Sequence, residues 1–282
     1  MIVTRFAPSP TGYLHLGHAF AAITASDTAR RTGGRFLLRL DDLDTARCRP
    51  EFEQAIFQDL RWLGLEWPVP VLRQTSRGEA YHAALARLDA MGLVYPCFCT
   101  RKEIAEEIAR SAEAPQGPEG PLYPGTCRDL PTEVRRERMA KEPYALRLDV
   151  MRAAKRLGRL IFEEKGTGPE GEHGIIVAEP TLFGDVVLAR KDMAGAYHLA
   201  VVVDDAFQGV TLVTRGNDLF VSTHVQRLLQ ALLGVRAPAY AHHRLILDDN
   251  GRKFSKRDRS VTLSALRASG TTPADIRARL AL

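Results

Sequence analysis

Ile2-Val-Thr-Arg-Phe-Ala-Pro-Ser-Pro-Thr-Gly-Tyr-Leu-His-Leu-Gly-His18 decides the fold. Residues 2–7 form an apolar run of strand type. Pro8-Ser9-Pro10-Thr11-Gly12 cannot extend it, because proline fixes φ and removes a ladder donor. From His18 to Thr32, Ala19, Ala22, Ile23 and Ala29 recur at helical spacing, and Gly33-Gly34 supplies a left-handed stop. Arg35–Asp42 then reads as a second strand. Strand, rigid loop, helix and strand in this order predict a βαβ unit, hence a parallel sheet. Ligands of such sheets bind beyond the carboxyl ends of the strands, which directs attention to the loop after residue 7.

Further along, Glu51–Leu63 and Glu79–Met91 predict helices stopped by Gly64 and Gly92. Thr100-Arg-Lys-Glu103 is a capping-box pattern opening another helix. Residues 113–126 are too rich in Pro and Gly for a regular element. Tyr144–Val150, Leu160–Glu163, Ile175–Ala178 and Asp185–Ala189 are short β-like runs. The apolar block Leu199–Val203 and a strand at Val210–Thr214 resume the α/β pattern. Ser222 is expected to cap an amphipathic helix carrying Val225, Leu228, Leu229, Leu232 and Leu233. Leu245-Ile-Leu-Asp-Asp-Asn-Gly251 predicts a strand and a tight Asn-Gly turn. Thr272-Pro273-Ala-Asp275 starts a last helix. The resulting division is 1–95, an α+β insertion at 96–190, a return to the core at 191–240, and 241–282.

With 45% hydrophobic and 26% charged residues, the 282-residue chain is neither disordered, collagen-like nor coiled-coil. No apolar run approaches the ~18–20 residues of a membrane span, and the first residues lack a signal-peptide pattern. Four cysteines in a chain of this size do not make a disulfide scaffold. A reducing cytoplasm, a monomer and no membrane partner are expected. The net charge of +5 is carried almost wholly by arginine. It permits a polyanionic partner, although most such residues suit a solvated surface equally.

Three constellations carry chemistry. His15, Gly17 and His18 stand where the first helix should begin. A helix N-terminus there attracts phosphate, although two surface or capping histidines would give the same pattern. Lys253-Phe-Ser-Lys-Arg257 places two lysines three apart after the Asn-Gly turn. That suits a mobile phosphate clamp or, equally, a solvated basic loop. Cys97, Cys99, Tyr123 and Cys127 could close a tetrahedral zinc site, or be ordinary buried residues.

The early H-x-G-H with the late K-x-S-K resembles the class I aminoacyl-tRNA synthetases. Arg5–His18, Arg39-Leu-Asp-Asp-Leu-Asp44, Tyr197-His-Leu-Ala-Val-Val-Val-Asp-Asp205 and Val213-Thr-Arg-Gly-Asn-Asp218 resemble their glutamyl branch. Only 25 residues follow Arg257 (282 − 257), too few for an anticodon-binding half. In this the chain resembles the glutamyl-Q tRNA(Asp) synthetase family. The resemblance implies a Rossmann-like α/β catalytic core with a zinc-binding α+β insertion. It implies ATP-dependent activation of glutamate without tRNA, then transfer to queuosine in the anticodon of tRNA(Asp). The alternatives are a truncated glutamyl-tRNA synthetase charging a 3′ end, a non-catalytic paralogue, and another class I-type nucleotidyltransferase such as one transferring nucleotidyl groups to small cofactors.

By the same resemblance His15, Gly17, His18, Lys253, Ser255 and Lys256 meet ATP and its Mg²⁺, with the two histidines and two lysines catalytic. Arg5, Phe6, Ala7, Pro8, Ser9, Asp41, Tyr197 and Arg215 surround glutamate. One structural Zn²⁺ binds Cys97, Cys99, Tyr123 and Cys127. Asp41 departs from the family, which commonly has Glu there, and K-F-S-K-R departs from K-M-S-K-S. Arg30, Arg31, Arg35, Arg47, Arg49, Arg252, Arg257 and Arg259 are candidates for tRNA phosphate contact.

Overall fold

A computed structural model of the chain describes residues 1–110, 116–118, 120–190, 193–247 and 261–282. The predicted βαβ unit is β1 (Val3–Phe6), α1 (Leu16–Arg31) and β2 (Arg35–Leu40). β1 and β2 pair in parallel, with Arg5 opposite Leu37. Gly33 takes the left-handed conformation (φ 58°) that ends α1. α2 (Pro50–Trp62) opens with Pro and carries Glu51 and Glu53 in its first turn, favourable against the helix dipole. β3 (Leu72–Arg73) extends the sheet beyond β2, and α3 (Gly78–Ala90) follows.

β4 (Val94–Cys97), α4 (Arg101–Arg110), the short pair β5 (Gln116–Gly117) and β6 (Gly120–Pro121), and α5 (Thr132–Lys141) come next. They precede β7 (Ala145–Leu148), α6 (Val150–Leu157), β8 (Ile161–Glu164), β9 (Gly174–Val177) and β10 (Val187–Arg190). β4, β7 and β10 form a separate antiparallel sheet. The chain closes with α7 (Tyr197–Phe207), β11 (Leu212–Gly216), α8 (Ser222–Leu232), β12 (Ala239–His243), α9 (Leu263–Ala268) and α10 (Pro273–Leu280).

β11 lies beside β1: Thr211 N–H donates to Val3 O at 3.0 Å, and Val3 N–H donates to Thr211 Oγ1 at 2.9 Å. β12 pairs in parallel with β11 and with β8, and β9 closes the edge antiparallel to β8. The order across the molecule is thus β3-β2-β1-β11-β12-β8-β9. Residues 161–177 share this sheet with the strands after residue 210. The chain winds one way from β1 and returns on its other side, which creates a topological switch between β1 and β11. One apolar core packs α1 against the first sheet, with Leu14, Ile23, Leu38 and Ile56 buried. A second joins α3, α7 and α8.

Three expectations are corrected. The last strand of this sheet among the described residues is Ala239–His243, before the strand expected from Leu245 onward, because its register follows β11 from Leu212↔Ala239 to Gly216↔His243 and its partner ends there. Ser222 is not the cap of α8. Val221 is the N-cap, no side chain caps the helix, and Ser222 is buried in the first turn. α1 starts at Leu16, with His15 as its N-cap, rather than at His18. The block Leu199–Val203 lies inside α7. A helix buried on most sides is apolar all round, and a short apolar run does not separate helix from strand. The Asn250-Gly251 turn lies outside the described residues.

Candidate active site

The N-terminus of α1 is built by its two histidines. His15 Nδ1 accepts from Gly17 N–H at 3.1 Å, and His18 Nδ1 accepts from His15 N–H at 3.2 Å. This is a reciprocal capping box made with imidazoles. Each Nδ1 uses its lone pair on a backbone donor, so each ring is neutral with its proton on Nε2. The rings lie 3.7 Å apart. A Cβ on Gly17 would sit 3.1 Å from His15 Cε1, so glycine makes room for the ring. Thr262 bridges His15, and Leu263 N–H donates to Leu14 O at 2.8 Å. The chain therefore returns to this helix end directly after residue 260. Lys253, Ser255 and Lys256 lie outside the described residues.

Beside α1, at the carboxyl end of β1, opens a cleft of about 720 Å³. Ala7, Ser9, Asp41 and Tyr197 line it. Phe6 and Pro8 are buried beneath. Asp41 N–H donates to Pro8 O at 3.1 Å, which fastens the end of β2 to the loop after β1.

Arg5 and Arg215 stand behind the wall, both buried. Arg5 Nε donates to Asp205 at 3.1 Å, and Arg39 Nη1 reaches the same carboxylate at 2.6 Å. Arg39 Nε in turn holds Asp41 at 2.7 Å. Burial pushes the Asp205 carboxyl up, but the two guanidiniums outweigh it and hold its pKa below the ordinary value. For Asp41 burial wins over Arg39, and its pKa is raised. The adjacent Asp204 points the other way and accepts from Tyr81 Oη (2.7 Å), Gln74 and Arg77.

Arg215 is held differently. Its Nε donates to His242 Nε2 at 3.0 Å, Nη1 to Gln226 (2.9 Å) and to Tyr197 Oη (3.4 Å), and Nη2 to Thr223 (2.7 Å). His198 lines the cleft next to Tyr197. Burial, then the Arg215 charge, lowers its pKa to about 4, so it is neutral near pH 7.

The structure thus gathers Arg5, Ser9, Asp41, Tyr197 and Arg215 at the switch point. Sequence reasoning missed Arg39, Asp205, His198, Glu164 and His242. A signal existed for the first two. Arg39 interrupts an apolar strand and Asp204-Asp205 ends an apolar run, and fully buried charges are rare unless paired.

Farther along the cleft wall, Cys97 ends β4, and Cys99, Tyr123 and Cys127 converge on it. The three Sγ atoms lie within 4.8 Å of one another. Tyr123 Oη is 3.3 Å from Cys97 Sγ and 3.7 Å from Cys99 Sγ, and Cys99 and Cys127 are 3.5 Å apart. A tetrahedral ion with metal–sulfur bonds of ~2.3 Å sets sulfurs ~3.8 Å apart, so the donor set fits one. Burial and the neighbouring thiols push Cys99 up to about 12. A divalent cation would remove that penalty. Tyr123 also lines the cleft, and the Arg147 guanidinium carbon lies 3.9 Å from the centre of its ring.

Residues 1–282 match the family described as tRNA synthetases class I (E and Q), catalytic domain. The chain is 52% identical to the glutamyl-Q tRNA(Asp) synthetase of Rhodobacter capsulatus, over 100% of both chains. It is 44% identical to that of Symbiobacterium thermophilum, covering 100% of this chain and 86% of the relative. Among solved structures it resembles a glutamate tRNA ligase from Elizabethkingia meningosepticum in complex with its amino acid. The TM-score is 0.73 at 28% identity, over 91% of this chain and 52% of that one. The chain therefore spans about half the length of that solved enzyme. With fold, cleft and full-length similarity in agreement, the chain belongs to the class I aminoacyl-tRNA synthetases of glutamate type and, within them, to the glutamyl-Q tRNA(Asp) synthetase family.

Proposed function

We propose that the chain activates glutamate with ATP, without needing tRNA, and transfers it to queuosine in the anticodon of tRNA(Asp). The observation that carries this reading is the convergence of Arg5, Ser9, Asp41, Tyr197 and Arg215 beside the histidine-capped end of α1. Arg215 supplies the cation for the side-chain carboxylate, Arg5, paired with Asp205, helps to shape the pocket, and Asp41 accepts from the ammonium. The shorter Asp41, drawn toward Arg39, serves an ammonium seated about one methylene deeper than a glutamate residue would.

In the first step a glutamate α-carboxylate oxygen bonds to the α-phosphorus of ATP, the bond to the bridging oxygen breaks, and pyrophosphate leaves. Catalysis is positioning plus charge stabilisation. The α1 N-terminus and the Nε2–H donors of His15 and His18 contact the phosphates. Lys253, Ser255 and Lys256 follow the leaving pyrophosphate, and Mg²⁺ enters with ATP as part of the substrate. In the second step a hydroxyl of the queuosine ring attacks the glutamyl carbonyl and AMP leaves.

Cys97, Cys99, Tyr123 and Cys127 would hold one zinc ion with no open position, so it supplies cross-linking rather than chemistry. Arg30, Arg31, Arg35, Arg47 and Arg49 offer phosphate contacts whose strength falls with salt. No helix among the described residues is long and apolar enough to cross a membrane.

The test is transfer of labelled glutamate onto two otherwise identical tRNA pools, with and without queuosine. Label confined to the queuosine pool is expected. Equal label in both would replace this reading with 3′-end charging.

A further inference from the structure

Arg5 and Arg39 share the Asp205 carboxylate, but Arg215 has no carboxylate in direct contact among the described residues. Its acceptors are neutral: His242, Gln226, Thr223 and Tyr197. The second N–H of Nη2 has no acceptor among the described residues. An anion stands one ring away. His242 Nδ1 lies 2.6 Å from Glu164 Oε2, while Glu164 Oε1 accepts from the backbone N–H of His242 (2.9 Å) and of Gly166 (2.8 Å). Arg215 can only donate, so His242 Nε2 is the acceptor and the ring proton sits on Nδ1, shared with Glu164.

All three side chains are at most 5% exposed. The ring is clamped by the parallel Tyr240 ring at 5.9 Å and the Phe220 edge at 5.1 Å. The approach of the 164–166 turn also needs Gly166, where a Cβ would come within 2.2 Å of His242 O.

We infer that Glu164 and His242 are positioning residues that fix the plane of the Arg215 fork and leave its charge for a ligand carboxylate. Glu164, at the end of β8, thereby couples the 161–177 hairpin to the amino-acid pocket. The imidazole is the functional spacer. A carboxylate touching Arg215 directly would neutralise it, as Asp205 neutralises Arg5. Through the ring, Glu164 sets the tautomer and orientation without occupying the cation. This inference rests on Arg215 meeting the glutamate side chain.

The test is glutamate-dependent ATP–pyrophosphate exchange on the full chain, with KM for glutamate, KM for ATP and kcat measured separately. Glu164→Gln keeps an oxygen for the two backbone donors but turns an NH₂ toward Nδ1. The ring must then carry its proton on Nε2, donor against donor with Arg215. Glu164→Gln and His242→Phe should each raise KM for glutamate roughly tenfold or more, as loss of a bond to a charged group does. ATP KM and kcat should stay near wild type. His242→Gln should restore much of the glutamate affinity, because its amide oxygen can accept from Arg215 Nε.

Unchanged glutamate KM in Glu164→Gln and His242→Phe, while Arg215→Lys raises it, would overturn the relay alone. Unchanged glutamate KM in Arg215→Lys would overturn the reading of Arg215, and the relay with it. A fall in kcat together with a rise in both KM values would mark a merely structural role and overturn the relay. If His242→Phe does not fold, the isosteric Glu164→Gln decides.

Discussion

Replacing Asp59 by asparagine should stabilise the fold, by an amount that grows from the pKa of the unfolded chain up to that of the folded one. Asp59 sits on α2 with no exposed surface, and neither carboxylate oxygen has a hydrogen-bond partner among the described residues. Arg267 of α9, about a third exposed, is 3.5 Å away but spends its bond on Gln58. Burial therefore outweighs the Arg267 charge and raises the carboxyl pKa to about 6, against ~3.9 in an unfolded chain.

Between those values the native state binds more protons than the unfolded state, so stability falls as pH rises through this window. Two pKa units at 1.36 kcal/mol each amount to about 3 kcal/mol, a large share of a typical 5–15 kcal/mol. Asparagine resembles the protonated acid in shape and charge. Urea unfolding of Asp59→Asn against wild type should show almost no difference at pH 3 and a gain of about 3 kcal/mol at pH 8, with unchanged m. An equal difference at both pH values, or a loss at pH 8, would refute the reasoning.

Asp205→Asn removes the only carboxylate that the buried Arg5 holds among the described residues and leaves Arg39 with Asp41 alone, and should cost about 3–5 kcal/mol in the same assay; a cost under ~1 kcal/mol would show that Arg5 finds another partner. His18→Ala removes a donor from the phosphate end of α1 and should lower pyrophosphate exchange ~10²–10³-fold, with circular dichroism confirming the fold; unchanged exchange would sink its assignment. Cys99→Ser should release bound metal, read by elemental analysis, and lower the melting temperature. Full metal content in that variant would exclude Cys99 from the donor set.

The first 42 residues were legible because proline, glycine and apolar spacing agree there, and the βαβ unit they specify places His15–His18 correctly. β12 was not legible. Its Ala-Tyr-Ala-His-His sequence lacks a β-branched run, and its position is set by β11 beside it. The site residues nominated individually came from motifs that resemble the family's. The partners that neutralise or orient them (Asp205, Arg39, His242 and Glu164) lie up to 200 positions away. Such pairings follow from the winding of the sheet, which no local pattern records.

Tyr123 belongs to two neighbourhoods at once. Its oxygen faces three sulfurs, and its ring forms cleft wall and a platform for Arg147. A fourth cysteine would complete a tetrahedron equally well. It would also delete the ring from the wall and leave the guanidinium with its bond to Asp185 O but no ring beneath it. In the proposed metal site the phenol would make the cross-link and the shape of the cleft a single part, so that redesigning either would redraw the other.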